Sequence, residues 1–275
     1  MSASPEPARD VYARVLAHLL ARLRAAAVWD EPFCHTYLEE VFPADVYAAM
    51  LATLPPAARY SAGPSAPDVP PGARTFYNLT ADALRRFPAD RRNLWRGVCA
   101  ALTDPELKRS LYAKLAPDLI HRYGVKAARV PDLAGHTRPT LYRDVEGYAL
   151  PPHPDTLKKV VTMHLYLPAD LSQIHLGTAL YRREPSAGRV GDRWSGFTVA
   201  RRFEFRPNTG YAFVVNDGPS RQSWHGREPI PDGSGVRNTL LNTFYSEPRH
   251  GYSGYLEADA KPHDPASTAL VQHTK

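Results

Sequence analysis

The 275-residue chain holds two cysteines, Cys34 and Cys99, and no CxxC pair. That usage excludes a disulfide framework and fits a reducing compartment. Long apolar runs are missing too. Val11 to Trp29 is apolar in places, but Arg14, Arg22 and Arg24 interrupt it. It therefore reads neither as a secretory signal core nor as a membrane span, and the expectation is a cytoplasmic protein without a membrane partner. Also absent is any run of Lys and Arg interleaved with aromatic residues. Arg182-Arg183 and Arg201-Arg202 stand alone and read as solvated strand edges rather than a phosphate track, so no nucleic-acid partner is expected. There is no internal repeat.

What is present is ordinary for a globular domain: 43% hydrophobic and 23% charged residues, with length enough for a sizeable core. The net charge of +6 means a mildly basic surface or, more specifically, attraction of anionic substrates. The first half of the chain is helical in pattern. Val11, Val15, Leu16, Leu19, Leu20 and Leu23 recur at helical spacing over residues 8–27, an amphipathic helix suited to packing on a sheet. A short helix is predicted over 43–54, with Pro43 near its start. Helices over about 80–103 and 105–124 follow, divided at Asp104-Pro105. Between the helix over 43–54 and the one starting near 80, residues 55–74 are rich in Pro, Ala, Ser and Gly and form a loop, either a linker or a lid.

The pattern changes after Val130. Short runs of strand-forming residues succeed one another: Leu141 to Leu150, Val160 to Leu167, Gly177 to Tyr181, Phe203 to Arg206, Tyr211 to Val215 and Val236 to Tyr245. Pro207-Asn208-Thr209-Gly210 reads as a hairpin turn between the fourth and fifth. Such spacing predicts a mostly β domain with flanking helices, a double-sheet jelly roll supported by the N-terminal part. One domain is expected over 1–256, helical to 130 and jelly roll over 131–246, with a polar tail over 257–275.

Three side chains stand out within the β-rich part: His153 and Asp155 in His-Pro-Asp, and His225 in Ser-Trp-His-Gly. Two imidazoles and one carboxylate can hold one face of an Fe(II) ion and leave three positions open. His-x-Asp alone is a weak pattern, and a single His is more often a hydrogen-bonded structural residue. The later His, about seventy residues on, is what a closed double sheet needs to complete a ligand set. In a strand, residues two apart share a face, so His153 and Asp155 are expected to point together. Arg237 opens a nearly uncharged, β-prone run. An Arg starting an interior strand needs a partner, and a carboxylate gripped by both arms of the guanidinium is the best one.

These residues carry a resemblance to the Fe(II)/2-oxoglutarate-dependent dioxygenases, in particular the prolyl-hydroxylase-like branch. The match runs in order through Tyr142 to Tyr148, His153-Pro-Asp155, Val161 to Leu167, Gly177 to Tyr181, Phe205 to Phe213, Ser223-Trp-His225-Gly and Val236-Arg237-Asn-Thr-Leu. It covers about residues 138–246; the N-terminal helices match only loosely. The resemblance implies a double-stranded β-helix, with Fe(II) on His153, Asp155 and His225 and the distal carboxylate of 2-oxoglutarate on Arg237. It implies a helping hydroxyl from Tyr166, an aromatic wall from Tyr142, and O2 as the other co-substrate. By strand alternation Thr162, His164 and Tyr166 share a face, so His164 either lines this pocket or is a hydrogen-bonded interior residue. Tyr142 and Tyr148 are pocket residues or plain core aromatics. Gly177 and Thr178 are expected to serve strand packing, and Trp224 to anchor the core.

The presence of Asp155 favours hydroxylation over halogenation, since related halogenases have a small residue there. Desaturation, cyclisation and epimerisation remain open. Tyr148, Arg221 and Arg193, with Arg189, are candidate substrate contacts, each Arg alternatively a solvated loop charge. Residues 55–74 and 183–196 are candidate lids. The compact chain, with no evident peptide-binding module, points to a small-molecule substrate: an amino acid, a sugar or nucleoside unit, or a natural-product intermediate. The competing readings are a non-catalytic jelly-roll binding protein and a zinc-dependent cupin-like enzyme.

Overall fold

The computed structural model describes residues 6–63, 69–184 and 193–257. The expected tail beyond residue 257, Arg189, and the middle of both candidate lids lie outside the described residues. The helices are α1 (Ala8–Ala25), α2 (Ala44–Ala52), α3 (Ala81–Arg85), α4 (Ala89–Leu102), α5 (Pro105–Lys114) and α6 (Ala116–Tyr123). The strands are β1 (Val28–Trp29), β2 (His35–Glu39), β3 (Ser61–Ala62), β4 (Arg74–Asn78), β5 (His136–Asp144), β6 (Leu150–His153) and β7 (Lys159–Tyr166). They continue with β8 (Thr178–Arg183), β9 (Phe197–Phe203), β10 (Thr209–Val214), β11 (Asp217–Gly218), β12 (Arg221–Gln222), β13 (His225–Arg227) and β14 (Arg237–Tyr245).

Two antiparallel sheets face each other as a jelly roll. The larger has the order β1-β2-β10-β7-β14-β5-β4-β3 and the smaller β6-β13-β8-β9, with β11-β12 a separate ribbon. The part of the chain expected to be helical thus supplies four strands to the larger sheet. Alternation along β7 divides its side chains cleanly. Val161, Met163 and Leu165 join Trp95, Leu102, Leu107, Leu111 and Leu119 in a core between sheet and helices. Tyr166 faces the other way, into an aromatic core between the sheets with Phe33, Phe203, Phe205, Tyr211 and Phe213. Asn242, buried on the helix side of β14, donates its amide N–H to Leu102 O at 2.8 Å and so closes the C-terminal end of α4.

Several expectations change. The buried stripe of α1 (Val11, Val15, Leu19, Leu23) packs mainly on α4 and α5 rather than on a sheet. The crossing is close: a Cβ on Gly97 would lie 2.5 Å from Val11 Cβ. The single helix read over 80–103 is two, because Pro88 has no N–H to continue the ladder and instead precedes α4. The helix read over 105–124 breaks at Leu115, with Pro117 in the first turn of α6 and Gly124 closing it at φ 63°. The strand read over Leu141 to Leu150 begins earlier and stops at Asp144, where a turn through Gly147 leads to β6. The Phe203–Arg206 strand ends at Phe203 instead of starting there. Asn208 does adopt the left-handed turn conformation (φ 55°), but no hairpin results. β9 pairs with β8 and β10 pairs with β2 and β7, so the turn carries the chain from one sheet to the other.

Gly177 serves packing as expected. A Cβ there would sit 1.7 Å from Phe203 O, where β8 meets β9. Gly177→Ala should cost about 2–3 kcal/mol and lower the thermal midpoint by several degrees; an unchanged melting curve would contradict the β8–β9 register.

Candidate metal centre and its cavity

The register of the larger sheet stacks its inward side chains in rows. Arg237 lies opposite Asp144, and Asp144 opposite Arg74. The next row holds Phe76, Tyr142, Thr239 and Tyr166, and the one after it Asn78, Thr140, Leu241 and His164. A further row brings together Arg138, Thr243 and Thr162. Side chains from chain positions more than 160 apart thus share one concave surface, which the smaller sheet covers in part.

On the smaller sheet His153 of β6 is the direct cross-strand partner of His225 of β13, and the two rings lie 4.4 Å apart between centroids. Asp155 reaches the same spot by a different route from the one expected. Pro154 lacks an N–H and ends β6 at His153, so Asp155 lies in the connection to β7. Shared strand face is not what unites the pair. Each His donates Nδ1–H to a backbone carbonyl, His153 to Pro151 O at 3.0 Å and His225 to Ser223 O at 2.9 Å. Those bonds select the tautomer whose Nε2 carries a lone pair facing the cavity. One ligand atom from each of His153, Asp155 and His225 lies within 4.8 Å of the others.

The carboxylate is held from both sides. Lys159 Nζ donates to Asp155 Oδ1 at 2.5 Å and Thr162 Oγ1 to Oδ2 at 2.8 Å. Burial alone would raise the Asp155 pKa, but Lys159 and the two imidazoles outweigh it and hold the carboxyl well below the usual range. Burial, with His153 adding to it, pushes His225 down to about 4, so its imidazole is neutral near pH 7. A deprotonated carboxylate and neutral imidazoles are the protonation states that metal ligation requires. Two nitrogens and one oxygen on one face is a donor set suited to Fe(II) or a neighbouring divalent ion.

The triad opens on a cavity of about 170 Å³. Its far wall is cationic. The Arg74 guanidinium lies 4.5 Å from the Tyr142 ring centre and 4.3 Å from that of Tyr148, and donates from Nε to Asp144 Oδ1 at 2.7 Å. Arg237 donates from Nη1 to Asp144 Oδ2 at 2.9 Å, from Nε to Leu176 O at 2.8 Å and from Nη2 to Thr178 Oγ1 at 3.3 Å. Arg227, two residues after His225 on β13, points into the same space. Burial, with the charge of Arg237 adding to it, brings its pKa down to about 10, still charged near neutrality. Buried groups here without a hydrogen-bond partner include His164 Nε2 and the hydroxyls of Tyr148 and Tyr166. The other nitrogen of His164 is 3.0 Å from Tyr211 Oη in a hydrogen bond. Orphaned polar atoms around a polar cavity fit a site that takes a polar ligand.

His153, Asp155, His225, Arg237, Tyr142, His164 and Tyr148 all line this one cavity. Tyr166 packs beside them, in edge contact with His164 at 5.6 Å. The structure does not bring the candidate loop arginines here. Arg221 Nε lies 2.8 Å from the fully buried Asp118 carboxylate, so its charge is spent holding α6, and it faces a separate surface groove. Arg193 is exposed and outside the cavity lining. Trp224 is half-buried against Phe197 at 4.8 Å. Arg74, Lys159 and Arg227 are cavity residues that the sequence analysis does not single out. Arg227 follows His225 on the same short strand, past a shift in register against β6, and Lys159 opens the strand that carries Thr162. Arg74 has no local signal at all, because only the β4–β5 pairing brings it in.

No family model and no curated protein matches the chain. Solved structures match its fold. A prolyl hydroxylase from Trichoplax adhaerens, in complex with a peptide fragment of the hypoxia-inducible-factor oxygen degradation domain, is 11% identical at a TM-score of 0.50. The match covers 86% of this chain and 91% of that one. A Pseudomonas putida prolyl-4-hydroxylase is 13% identical at 0.47, over 84% of this chain and 99% of that one. Dioxygenase for auxin oxidation 1 from Arabidopsis thaliana, with 2-oxoglutarate, is 13% identical at 0.48, over 100% and 97%. The two-sheet architecture is shared with the first of these over most of both chains.

Thr162→Val removes the hydroxyl that fixes Asp155 while keeping the side chain's shape. Mn(II) affinity, read by calorimetry, should fall about 10-fold or more, and His153→Ala or Asp155→Ala should abolish binding with the far-ultraviolet circular dichroism unchanged. Wild-type affinity in the two alanine variants would remove the ligand assignment.

Proposed function

We propose that this chain is an Fe(II)- and 2-oxoglutarate-dependent oxygenase, an oxidoreductase that hydroxylates a C–H bond of a polar small molecule. The observation that carries the reading is the position of the triad. His153, Asp155 and His225 sit at one end of a buried cavity whose other end is lined by guanidinium groups. A dicarboxylate co-substrate needs a metal for one end and a cation for the other, and this cavity offers both. Neither a purely structural metal site nor a zinc-dependent cupin-like enzyme gives the cationic wall a role.

Bound at the triad, Fe(II) supplies the chemistry that activates O2, with 2-oxoglutarate ending as succinate and CO2 and the substrate gaining a hydroxyl. The chain's own residues position the reactants. Lys159 and Thr162 fix the carboxylate ligand, and the two backbone-bonded imidazoles keep their lone pairs aimed. Leu150, Leu241 and Tyr148 line the walls and limit water. Arg237 and the Tyr166 hydroxyl receive the far end of 2-oxoglutarate. The substrate approaches from a second hollow on the same sheet face, of about 200 Å³, lined by Phe76, Asn78, Arg138, Thr140, Thr243 and Tyr245. It adjoins the first through the shared side chains of Tyr142, Lys159 and Leu241. Its hydroxyls, amide and guanidinium suit a small polar substrate.

Anaerobic reconstitution with Fe(II), followed by 2-oxoglutarate and O2, should release succinate, and mass spectrometry of candidate small molecules should find a gain of one oxygen atom. Retention of zinc with no succinate formed would overturn the reading. Tyr166→Phe removes one buried donor to a charged group, worth about 1.5–3 kcal/mol. It should therefore raise the Michaelis constant for 2-oxoglutarate roughly 10- to 100-fold with the thermal midpoint unchanged. An unaltered constant would exclude that hydroxyl from the co-substrate site.

A further inference from the structure

The second hollow on the larger sheet holds a cation that no carboxylate answers. Arg138 is half-buried in its wall, and its neighbours are neutral. Nη2 lies 3.5 Å from Asn78 Oδ1, and the guanidinium carbon lies 5.3 Å from the Tyr252 ring centre. Among the described residues that line the hollow there is no Asp or Glu. The other cation there, Lys159, is committed to Asp155 through a 2.5 Å ion pair. One positive charge is therefore left over, and one negative charge on a ligand would match it. A phosphate dianion would bring more charge than the hollow can balance.

The groups beside Arg138 are set as donors. Asn78 Oδ1 accepts from Thr140 Oγ1 at 3.3 Å as well as from Arg138. An Arg can only donate, so this contact fixes which way the amide points. What Asn78 has left for the hollow is Nδ2, a donor. A carboxylate here meets a guanidinium and an amide N–H together, whereas an ammonium meets a like charge. The rest of the wall is largely aromatic: Phe76, Tyr142 and Tyr245 suit an apolar body.

This position is separate from the cationic wall at Asp144. Arg138 stands six residues before Asp144 on β5, about 20 Å away at the rise of an antiparallel strand. It shares its row instead with Thr243 and Thr162, and Thr162 holds the Asp155 ligand. A ligand gripped by Arg138 thus reaches the metal sideways across the sheet, while the co-substrate reaches it along the strands.

We propose that the substrate is a small monocarboxylate with an apolar, ring-sized body and no free amine, and that Arg138 and Asn78 grip its carboxylate. That this ligand is a substrate rests on the oxygenase reading; that the hollow takes a monocarboxylate does not.

Calorimetry on the full chain tests it, under nitrogen, with Mn(II) bound and 2-oxoglutarate saturating so that the co-substrate site is filled. The probes are phenylacetate, phenylpropanoate and cyclohexylacetate, each set against its primary amide and the matching amine. The wild type should bind at least one of these acids about 10-fold or more tightly than its amide, and the amine more weakly still. Arg138→Gln should bring that acid down to the level of its amide, with 2-oxoglutarate affinity unchanged. Asn78→Asp keeps the side chain's shape and gives Arg138 a carboxylate of its own. It should lose the same preference and gain affinity for the amine, and it decides the matter alone if Arg138→Gln does not fold. A wild type that binds none of the acids, binds acid and amide equally or prefers the amine overturns the proposal. So does a preference that survives substitution, or a parallel fall in 2-oxoglutarate affinity. Acid binding that depends on Arg138, in a chain that releases no succinate with Fe(II), 2-oxoglutarate and O2, would keep the subsite and remove the oxygenase reading. Succinate release without any preference for the acids would do the reverse.

Discussion

Asp144 is the charge on which the cavity is built. It is fully buried at the end of β5, and it receives Arg74 from β4 on one side and Arg237 from β14 on the other. Removing a carboxylate from water is costly, and only multiple charged donors offset it. Here they do more than offset it, because Arg237 reaches on to Leu176 O and Thr178 at the edge of the smaller sheet. One anion therefore sets the register of three strands and fastens the two sheets at one end. The cationic wall is a by-product of that fastening, since a carboxylate held by two guanidiniums leaves a local surplus of positive charge.

The metal end obeys a different rule. The imidazoles come from paired strands, so their separation is fixed by sheet geometry, whereas Asp155 comes from a connection that Pro154 forces out of the ladder. A carboxylate on such a connection would wander without support. Lys159 and Thr162, both on β7, supply that support and bring the ligand from the smaller sheet into contact with the larger. The charges at the two ends are thus arranged oppositely: a carboxylate tied down by cations near the metal, and cations held in place by a carboxylate far from it.

Much of this was legible in the sequence, and where it was not the reason is physical. Alternation in Val160 to Leu167 and in the run after Arg237 gives strands whose faces come out as read, with Thr162, His164 and Tyr166 on the inside. The His-x-Asp and distal His were legible because so few residue types make a ligand set. The sequence missed the contributions of non-local pairing. Arg74 lies in a Pro- and Gly-rich stretch, and nothing near it reveals that β4 will add to the sheet beside β5. Asp144 reads as the interior of a strand over Leu141 to Leu150, and its role depends on partners 70 and 93 residues away in the chain. Pro154 is visible in the sequence and ends the strand before Asp155, so the two side chains converge, but not from one strand face.

The opposed fastenings have a consequence for motion. At the Asp144 end the sheets are pinned by charges that belong to the chain and are always present. At the other end two imidazoles stand on the smaller sheet, and the third ligand leans on the larger, so an ion coordinated there acts as a rivet across the seam. The jelly roll is then a hinge with one permanent pin and one removable one. An ion bound there would tighten the mouth, while the floor, already fastened by Asp144, would not depend on it.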